Sequence, residues 1–196
     1  DFSSLTSEQR AQAVAFLPQS TQPAYAFRGS EVIALARYAT GDPSGAHRDE
    51  LVRIAQQFEV EAFLSRRVDS LSGGEWQRIA LARTFFQDAR ALLLDEPTAH
   101  LDLKHRLQAF DLCRQRARQG KAVLVATHDL DSSFEFADRL LFIKDGRLMA
   151  DGAPADVVNP ELIEKVFGAA PIDIQANPFS QRPQLVVHQS GRKDQQ

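Results

Sequence analysis

Three carboxylates and a histidine follow apolar runs in the middle of the chain. Asp95 and Glu96 end a run at residues 91–94, Asp102 comes shortly after them, and His128 follows the run at residues 122–126. A carboxylate at the end of a buried strand can bind a divalent cation or act as a base on water. Because open parallel sheets bind ligands at the carboxyl ends of their strands, the pattern predicts a site there. Two adjacent acids can also be a core strand followed by a helix cap.

A glycine pair at residues 73 and 74 indicates a second kind of site, one at which backbone amides could bind a phosphate. Ser72 and Glu75 have the Ser-x-x-Glu spacing of a capping box, which satisfies free amides at a helix start. Capping explains these two residues, but it does not explain Gly73 and Gly74. Two glycines weaken a first helical turn, yet they let a phosphate approach the exposed amides and the positive end of the helix dipole.

Two single residues are weaker candidates when each is taken alone. Gln19 follows an apolar segment at residues 11–17 that Pro18 ends, so it lies at the exit of a predicted short strand. His128 precedes Asp129, which could cap the next helix, and a lone histidine there is more often structural. The remaining histidines lack a metal-ligand spacing, and we expect a solvated surface role for them: His47, His100, His105 and His188.

The elements that must position these groups alternate between strands and helices. Helical spacing at residues 30–38 and 48–58 predicts a small helical lobe, and another helix runs from Glu75 to about Phe86. Beyond it, the pattern predicts strands at 91–94, 122–127 and 140–143, helices at 104–119 and 131–137, and a hairpin through 147–150. This alternation indicates an α/β fold with a mostly parallel sheet covered by helices. Beyond Gly168 we expect little structure except a strand at 184–187.

The charge and composition of the chain limit the classes of partner and the compartment that we expect. The 196 residues carry a net charge of -3 with a pI near 6.0, which gives no electrostatic attraction to nucleic acid or anionic lipid, so no nucleic acid is expected. No apolar stretch approaches the ~20 residues of a membrane span, so we expect no direct membrane insertion. The first residues lack the pattern of a signal peptide. The single cysteine, Cys113, is expected to be packed or half-exposed, and it favours a reducing compartment.

Taken in order, these parts resemble the ATP-binding subunit of ATP-binding-cassette (ABC) transporters. The resemblance implies a P-loop NTPase-like three-layer α/β sheet, incomplete at its N-terminus, with a small helical subdomain. It implies ATP and Mg²⁺ as cofactors, with Asp95 and Gln19 at the metal and Gln19 also at the nucleotide. Glu96 would orient or deprotonate the attacking water, and His128 would hydrogen-bond the γ-phosphate.

The same resemblance assigns a second group of residues to ATP held by an opposite subunit. Ser72, Gly73, Gly74 and Glu75 belong to the family signature, which contacts that nucleotide, and Asp102 lies in the loop that crosses the dimer interface. The implied partners are a second ATPase subunit, most simply another copy of this chain, and integral membrane permease subunits. The implied location is peripheral, on the cytoplasmic face of the cell's inner membrane.

Less specific segments, at residues 37–38, 160–168 and 177–187, look like ATPases of iron-siderophore, haem and vitamin B12 importers. The resemblance divides the chain into an ATPase core lobe (1–19 and 87–170), a helical lobe ending in the signature helix (20–86) and a C-terminal tail (171–196). The expected function is ATP hydrolysis at a dimer interface, coupled to transport of a metal chelate or related solute.

One family element is missing from these 196 residues. The phosphate-cradling pattern Gly-x-x-x-x-Gly-Lys-Ser/Thr (Walker A) does not occur, since the only Gly-Lys pair is followed by Ala122. We therefore expect a fragment of a longer ATPase that, on its own, binds Mg-ATP poorly, turns none over and melts early or aggregates. Two alternatives stay open: a non-catalytic cassette that completes a partner's ATP site, and a soluble ABC ATPase of translation or DNA maintenance.

Overall fold

The chain forms two compact units, Asp1–Thr127 and His128–Gln196. A computed structural model describes residues 2–19, 27–41, 47–168 and 172–187. Each unit has its own apolar core, the first around helices and a parallel sheet and the second around two hairpins. These two units are not the lobes predicted from the family resemblance, so the predicted lobe boundaries stay a prediction.

The first unit contains five helices and three strands among its described residues: α1 (Ser7–Ala13), β1 (Val14–Leu17), α2 (Gly29–Ala39), α3 (Arg48–Gln57), α4 (Gly73–Phe86), β2 (Ala91–Asp95), α5 (Leu103–Arg118) and β3 (Ala122–Ala126). Short 3-10 turns occur at Phe2–Ser4, Glu61–Phe63 and Val68–Ser70. The second unit has α6 (Leu130–Phe136), β4 (Leu140–Lys144), β5 (Arg147–Gly152), α7 (Pro154–Val157), α8 (Pro160–Phe167), β6 (Ile172–Ala176) and β7 (Pro183–Val187).

The central sheet of the first unit is parallel, in the order β1-β2-β3. Leu17 lies opposite Leu94, and Leu94 lies opposite Val125. Successive side chains of a strand point to opposite faces, so one face of this sheet carries the buried Ala15, Leu17, Leu92 and Leu94. The predicted α/β fold with a parallel sheet is confirmed.

The other face of the same sheet is apolar and exposed. Phe16, Leu93 and Leu124 lie side by side in the register and are 59%, 36% and 54% exposed. Large exposed apolar patches on a chain promote association. The early melting or aggregation expected for these 196 residues stays a prediction, and this face supplies a physical reason for it.

Helices α2, α3 and α4 pack together on one side of the core. Val32 and Ile33 of α2, Ile54 of α3, and Ile79 and Phe85 of α4 are all buried there. The predicted helices at 30–38, 48–58 and 75–86 are therefore confirmed within one or two residues at each end.

The start of the chain differs from the sequence prediction. Residues 7–13 form helix α1, so the predicted strand at 11–17 is limited to Val14–Leu17. The helix begins with a capping box, in which the Thr6 hydroxyl accepts from the amide of Gln9 and the Gln9 side chain accepts from the amide of Thr6. Two orphan amides are satisfied in this way, which favours a helix over an extended segment.

The second unit is built on two antiparallel hairpins, β4–β5 and β6–β7. Phe134, Leu140, Phe142 and Ile163 form its core. The hairpin through 147–150 and the strand at 184–187 were predicted correctly, but β6 was missed. In the described part of the chain, no helix is both long enough and apolar enough to cross a membrane.

The only cysteine gives a test of core packing. Cys113 lies on the buried face of α5, and burial raises the pKa of its thiol to about 12. Because the thiolate is the reactive form, we expect iodoacetamide at pH 8 to label the native chain about 10³-fold more slowly than the urea-unfolded chain. The rate is measured by mass spectrometry, with Cys113→Ser as the unlabelled control. Equal rates in both states would show that α5 does not bury this residue.

Candidate active site

The predicted site residues of the first unit gather at the carboxyl edge of the parallel sheet. Gln19 comes two residues after the end of β1, Asp95 ends β2, and Thr127 directly follows β3. Because Leu17 and Leu94 are register partners, Gln19 and Glu96 extend from neighbouring strands to the same edge. Gln19 is exposed, while Asp95 and Glu96 are half-buried.

Glu96 is held in an uncommon backbone conformation. Its φ is 48°, in the left-handed region, and its amide donates to the carbonyl of Ala126 at 2.8 Å. The hydroxyl of Thr127 lies 3.4 Å from Glu96 Oε2. A non-glycine residue with positive φ costs free energy and persists when its surroundings fix it, as it often does at functional sites. These contacts hold the backbone and the carboxylate of Glu96 at the sheet edge.

Thr127 was not assigned a role from the sequence, although it comes directly before His128. A hydroxyl that can donate to Glu96 would orient the carboxylate without competing for its proton. Its position in the sequence could have indicated this role, because Thr127 follows β3 at the same sheet edge where Asp95 ends β2.

His128 begins the second unit and is exposed. Asp129, the next residue, caps α6 by accepting from the amide and hydroxyl of Ser132 at 3.1 and 2.7 Å. The capping reading of Asp129 is therefore confirmed. The γ-phosphate contact of His128 stays a prediction.

The capping box at the start of α4 is formed. Ser72 Oγ accepts from the amide of Glu75 at 3.3 Å, and Glu75 Oε2 accepts from the amide of Ser72 at 2.7 Å. Arg66 lies 3.1 Å from the other oxygen of Glu75. The hydrogen bond from the Ser72 amide is the main reason why the pKa of Glu75 lies below its usual range. Glu75 is thus ionised near the helix start, where a negative charge is favourable.

The glycine pair is also required for packing. A Cβ added at Gly74 would lie 2.8 Å from the carbonyl oxygen of His100, closer than real Cβ contacts allow. At Gly73 it would lie 3.7 Å from the side chain of His100, an ordinary contact. Gly74 therefore lets the loop at residues 97–102 approach α4, whereas Gly73 is not needed for that approach.

A buried polar contact ties the same loop to α4. Gln77 is 5% exposed, and its side chain donates to the carbonyl of Pro97 at 2.9 Å. A buried amide costs free energy unless it is hydrogen-bonded, so this bond fixes the first half of the loop. Sequence reasoning assigned Gln77 no role, although it lies on the helix face that carries the buried Ala80, Leu81 and Thr84.

Asp102 ends the loop as the N-cap of α5. Its Oδ1 accepts from the amide of His105 at 2.9 Å and lies 2.7 Å from His105 Nδ1. The amide hydrogen bond is the main reason why the pKa of Asp102 lies below its usual range. The expectation of a solvated surface role is wrong for His105, whose side chain is 16% exposed and hydrogen-bonded. His188 lies outside the described residues.

The chemistry of the sheet edge suits a magnesium ion that is bound mainly by a nucleotide. In the described ranges no group of three or more His, Cys, Asp or Glu residues is arranged to hold a metal. Mg²⁺ is usually held by one or two carboxylates together with phosphate oxygens and water. Asp95, with Gln19 on the neighbouring strand exit, provides the hard oxygen donors that such an ion requires.

Comparison with known proteins identifies the family. The model of the family described as ABC transporter matches residues 1–99. The chain is 39% identical over 185 residues to the hemin import ATP-binding protein of Rhodococcus jostii, covering 92% of this chain and 62% of the relative. The chain belongs to the ABC transporter family. The assignment of residues 71–75 to the family signature stays a prediction, as do the roles of Asp95 and Glu96.

Two solved ABC structures share the fold. A putative metal-chelate type ABC transporter in an inward-facing conformation superposes with a TM-score of 0.74 at 22% identity, covering 89% of this chain and 70% of that one. A dimeric ATP-binding cassette in a post-hydrolysis state with ADP and Pi gives 0.65 at 27% identity, covering 74% and 65%. The ABC chain described here spans about three fifths of the length of the curated relatives it matches.

Proposed function

We propose that these residues belong to the ATP-hydrolysing subunit of an ABC importer, which couples ATP hydrolysis to uptake of a metal chelate or a related solute. One observation supports this proposal most directly: Gln19, Asp95 and Glu96 share the carboxyl edge of one parallel sheet. The hemin import relative and the metal-chelate neighbour suggest the class of solute.

Glu96 is the proposed base. Its carboxylate lies at the sheet edge, where the Thr127 hydroxyl can donate to one of its oxygens and hold it in position. A positioned general base contributes about 10²- to 10⁴-fold to a rate. Asp95 and Gln19 would hold Mg²⁺, which when bound neutralises charge on the phosphates. His128 would hydrogen-bond the γ-phosphate and help to hold the geometry that activates the water.

In this proposal the signature residues 72–75 contact the ATP of a second subunit, not the ATP bound at Asp95 and Glu96. The amides at the start of α4, left accessible by Gly73 and Gly74, would contact the γ-phosphate of ATP held by a second subunit. Ser72 and Glu75 hold that helix start in shape through their capping box. A second copy of this chain is the simplest partner, and the neighbour bound to ADP and Pi is a dimer.

The remaining partners follow from the import function. As the ATP-binding subunit of an importer, it would act with integral permease subunits, and we place it at the cytoplasmic face of the cell's inner membrane, where ATP is available. The net charge of -3 does not favour nucleic acid as a partner.

Uptake by cells tests this function. The source gene is deleted, and uptake of labelled hemin, a ferric siderophore and cobalamin is measured before and after the gene is restored. We expect deletion to abolish uptake of one of the three, and restoration with wild-type but not Glu96→Gln to recover it. Working with the gene keeps whatever sequence flanks residues 1–196, and its product is called the natural gene product below.

Two outcomes would change the assignment. If Glu96→Gln restores uptake as well as wild type, the chain acts as a non-catalytic cassette that completes a partner's ATP site. If deletion leaves all three uptakes unchanged and slows protein synthesis or DNA repair, the chain is a soluble ABC ATPase and the importer proposal is wrong.

A further inference from the structure

His105 joins the loop at residues 97–102 to the signature helix. Its Nδ1 lies 2.7 Å from Oδ1 of Asp102, the last residue of that loop. Its Nε2 lies 3.1 Å from Nη1 of Arg78, which is on α4. The imidazole ring therefore bridges the start of α5 and the helix that begins at the signature.

Only one protonation state of His105 satisfies both contacts. A guanidinium has donors and no acceptor, so Nε2 must accept from Arg78 and cannot carry a proton. Asp102 is an acceptor when ionised, so Nδ1 must donate to it. The neutral ring with its proton on Nδ1 meets both requirements, because the two nitrogens of a neutral imidazole are one donor and one acceptor.

Arg78 gives the bridge a fixed end. Its Nη1 also donates to the carbonyl of Glu59 at 2.8 Å, and its guanidinium lies 4.9 Å from the ring centre of Phe63. Both contacts hold the arginine against the helical part of the first unit. His105 is thus hydrogen-bonded to a guanidinium that other contacts already hold in position.

The charged groups around the ring favour a change of partner when it is protonated. Glu59 Oε2 lies 3.5 Å from His105 Nε2, and Lys104 Nζ is 2.6 Å from the same oxygen. A proton on Nε2 would oppose the Arg78 guanidinium and could be donated to Glu59 instead. With Asp102 on the other side, these four residues are the charged groups among the described residues that lie around the ring, on α4, on α5 and its N-cap, and on the segment after α3.

We propose that His105 is a positioning residue, which in its neutral Nδ1-protonated form fixes the loop at residues 97–102 against the signature helix α4. This proposal rests on the proposed function, because the loop follows Glu96 and the helix begins with Ser72 to Glu75. The Gln77–Pro97 bond holds the first half of the loop, and the His105 bridge holds its end. Loss of the bond to Arg78 would loosen that end.

The consequence for catalysis is geometric. A displacement of about 1 Å in a group that supports the chemistry can cost about 10²-fold in rate. Asp102 keeps its cap on the backbone amide of His105 whatever the side chain at 105, so α5 itself should survive substitution. Loss of the bridge should therefore lower turnover more than it lowers stability.

Three substitutions in the natural gene product separate the two contacts. His105→Phe keeps the ring and removes both nitrogens, His105→Asn keeps a donor near the Nδ1 position, and His105→Gln keeps an acceptor near the Nε2 position. Lys104→Ala is the matched control, because it removes an exposed ion pair on the same turn but leaves the bridge intact. If the phenylalanine variant does not fold, the two amide variants carry the test.

The first readout is kinetic. We expect His105→Phe to lower kcat about 10- to 100-fold with the Kd for ATP within about twofold of wild type, and the amide variants to recover part of the loss. Equal kcat values for His105→Phe and Lys104→Ala, or no recovery in either amide variant, would overturn the proposal.

The second readout needs no ATPase activity. The amides of Ala99 and Leu101 donate to the carbonyls of Glu96 and Thr98, and their hydrogen exchange should be about tenfold faster in His105→Phe and unchanged in Lys104→Ala. Nitrogen NMR should show that the neutral ring carries its proton on Nδ1. A natural gene product without ATPase activity would disprove the proposed function alone, whereas unchanged exchange or an Nε2-protonated ring would disprove the role of His105.

Discussion

Replacing Glu96 by glutamine in the natural gene product is expected to lower kcat for ATP hydrolysis by about 10²- to 10⁴-fold. Glutamine has nearly the same shape and can still accept from the Thr127 hydroxyl, but it cannot take a proton from water. ATP binding should remain, because none of the proposed phosphate contacts is removed. The measurement is steady-state phosphate release, combined with ATP binding by equilibrium dialysis.

Glu161→Gln is a suitable control for the loss of a carboxylate. Glu161 is exposed in the first turn of α8, and we assign it no role in catalysis. This variant should hydrolyse ATP at the wild-type rate. Retention of more than about a tenth of the wild-type kcat in Glu96→Gln would show that another group acts as the base.

The sheet edge could be predicted from the sequence because its information is local. Apolar runs that end at Pro18, Asp95 and Thr127 mark the ends of three strands, and parallel pairing brings such ends to one edge. The same reasoning placed α2, α3 and α4, whose apolar residues recur at helical spacing. The capping box of Ser72 and Glu75 follows from a spacing of three residues, and the structure forms it.

The contacts that hold the loop at residues 97–102 could not be predicted in this way. Gln77 and Pro97, Gly74 and His100, and Arg78 and His105 are separated by 20 or more positions, and no local spacing pairs them. The role of His105 depends on Arg78, a neighbour from another helix, so sequence reasoning could identify only a lone histidine. Strand β6 was missed for a similar reason, since it is stabilised by pairing with β7.

These long-range contacts change the interpretation of the glycine pair. Sequence reasoning assigned both glycines to the approach of a phosphate, because capping alone did not require them. The structure separates the two: Gly74 has a steric requirement from the His100 carbonyl, and Gly73 has none. Substitution of each glycine by alanine can therefore distinguish packing from phosphate binding.

We expect Gly74→Ala to reduce both stability and activity. Its Cβ would lie 2.8 Å from the carbonyl oxygen of His100, so the loop or the helix start must move. Overpacking of this kind costs about 1–3 kcal/mol, which lowers Tm by about 2–12 °C for a chain of this size. The displaced loop follows Glu96 directly, so turnover should fall by about 10²-fold or more. Calorimetry and phosphate release on the natural gene product measure the two effects.

Gly73→Ala should separate activity from stability. Its Cβ has room beside His100, and alanine is more favourable than glycine in a helix by about 0.5–1 kcal/mol, so Tm should stay the same or rise. If a phosphate of the opposite nucleotide must approach the Gly73 amide closely, the added methyl group obstructs it and ATP-dependent dimer formation weakens. Light scattering of the dimer in a Glu96→Gln background measures that step. Wild-type dimer formation by Gly73→Ala would mean that the first glycine serves neither packing nor phosphate approach, and that the amide of Gly74 alone can face the nucleotide.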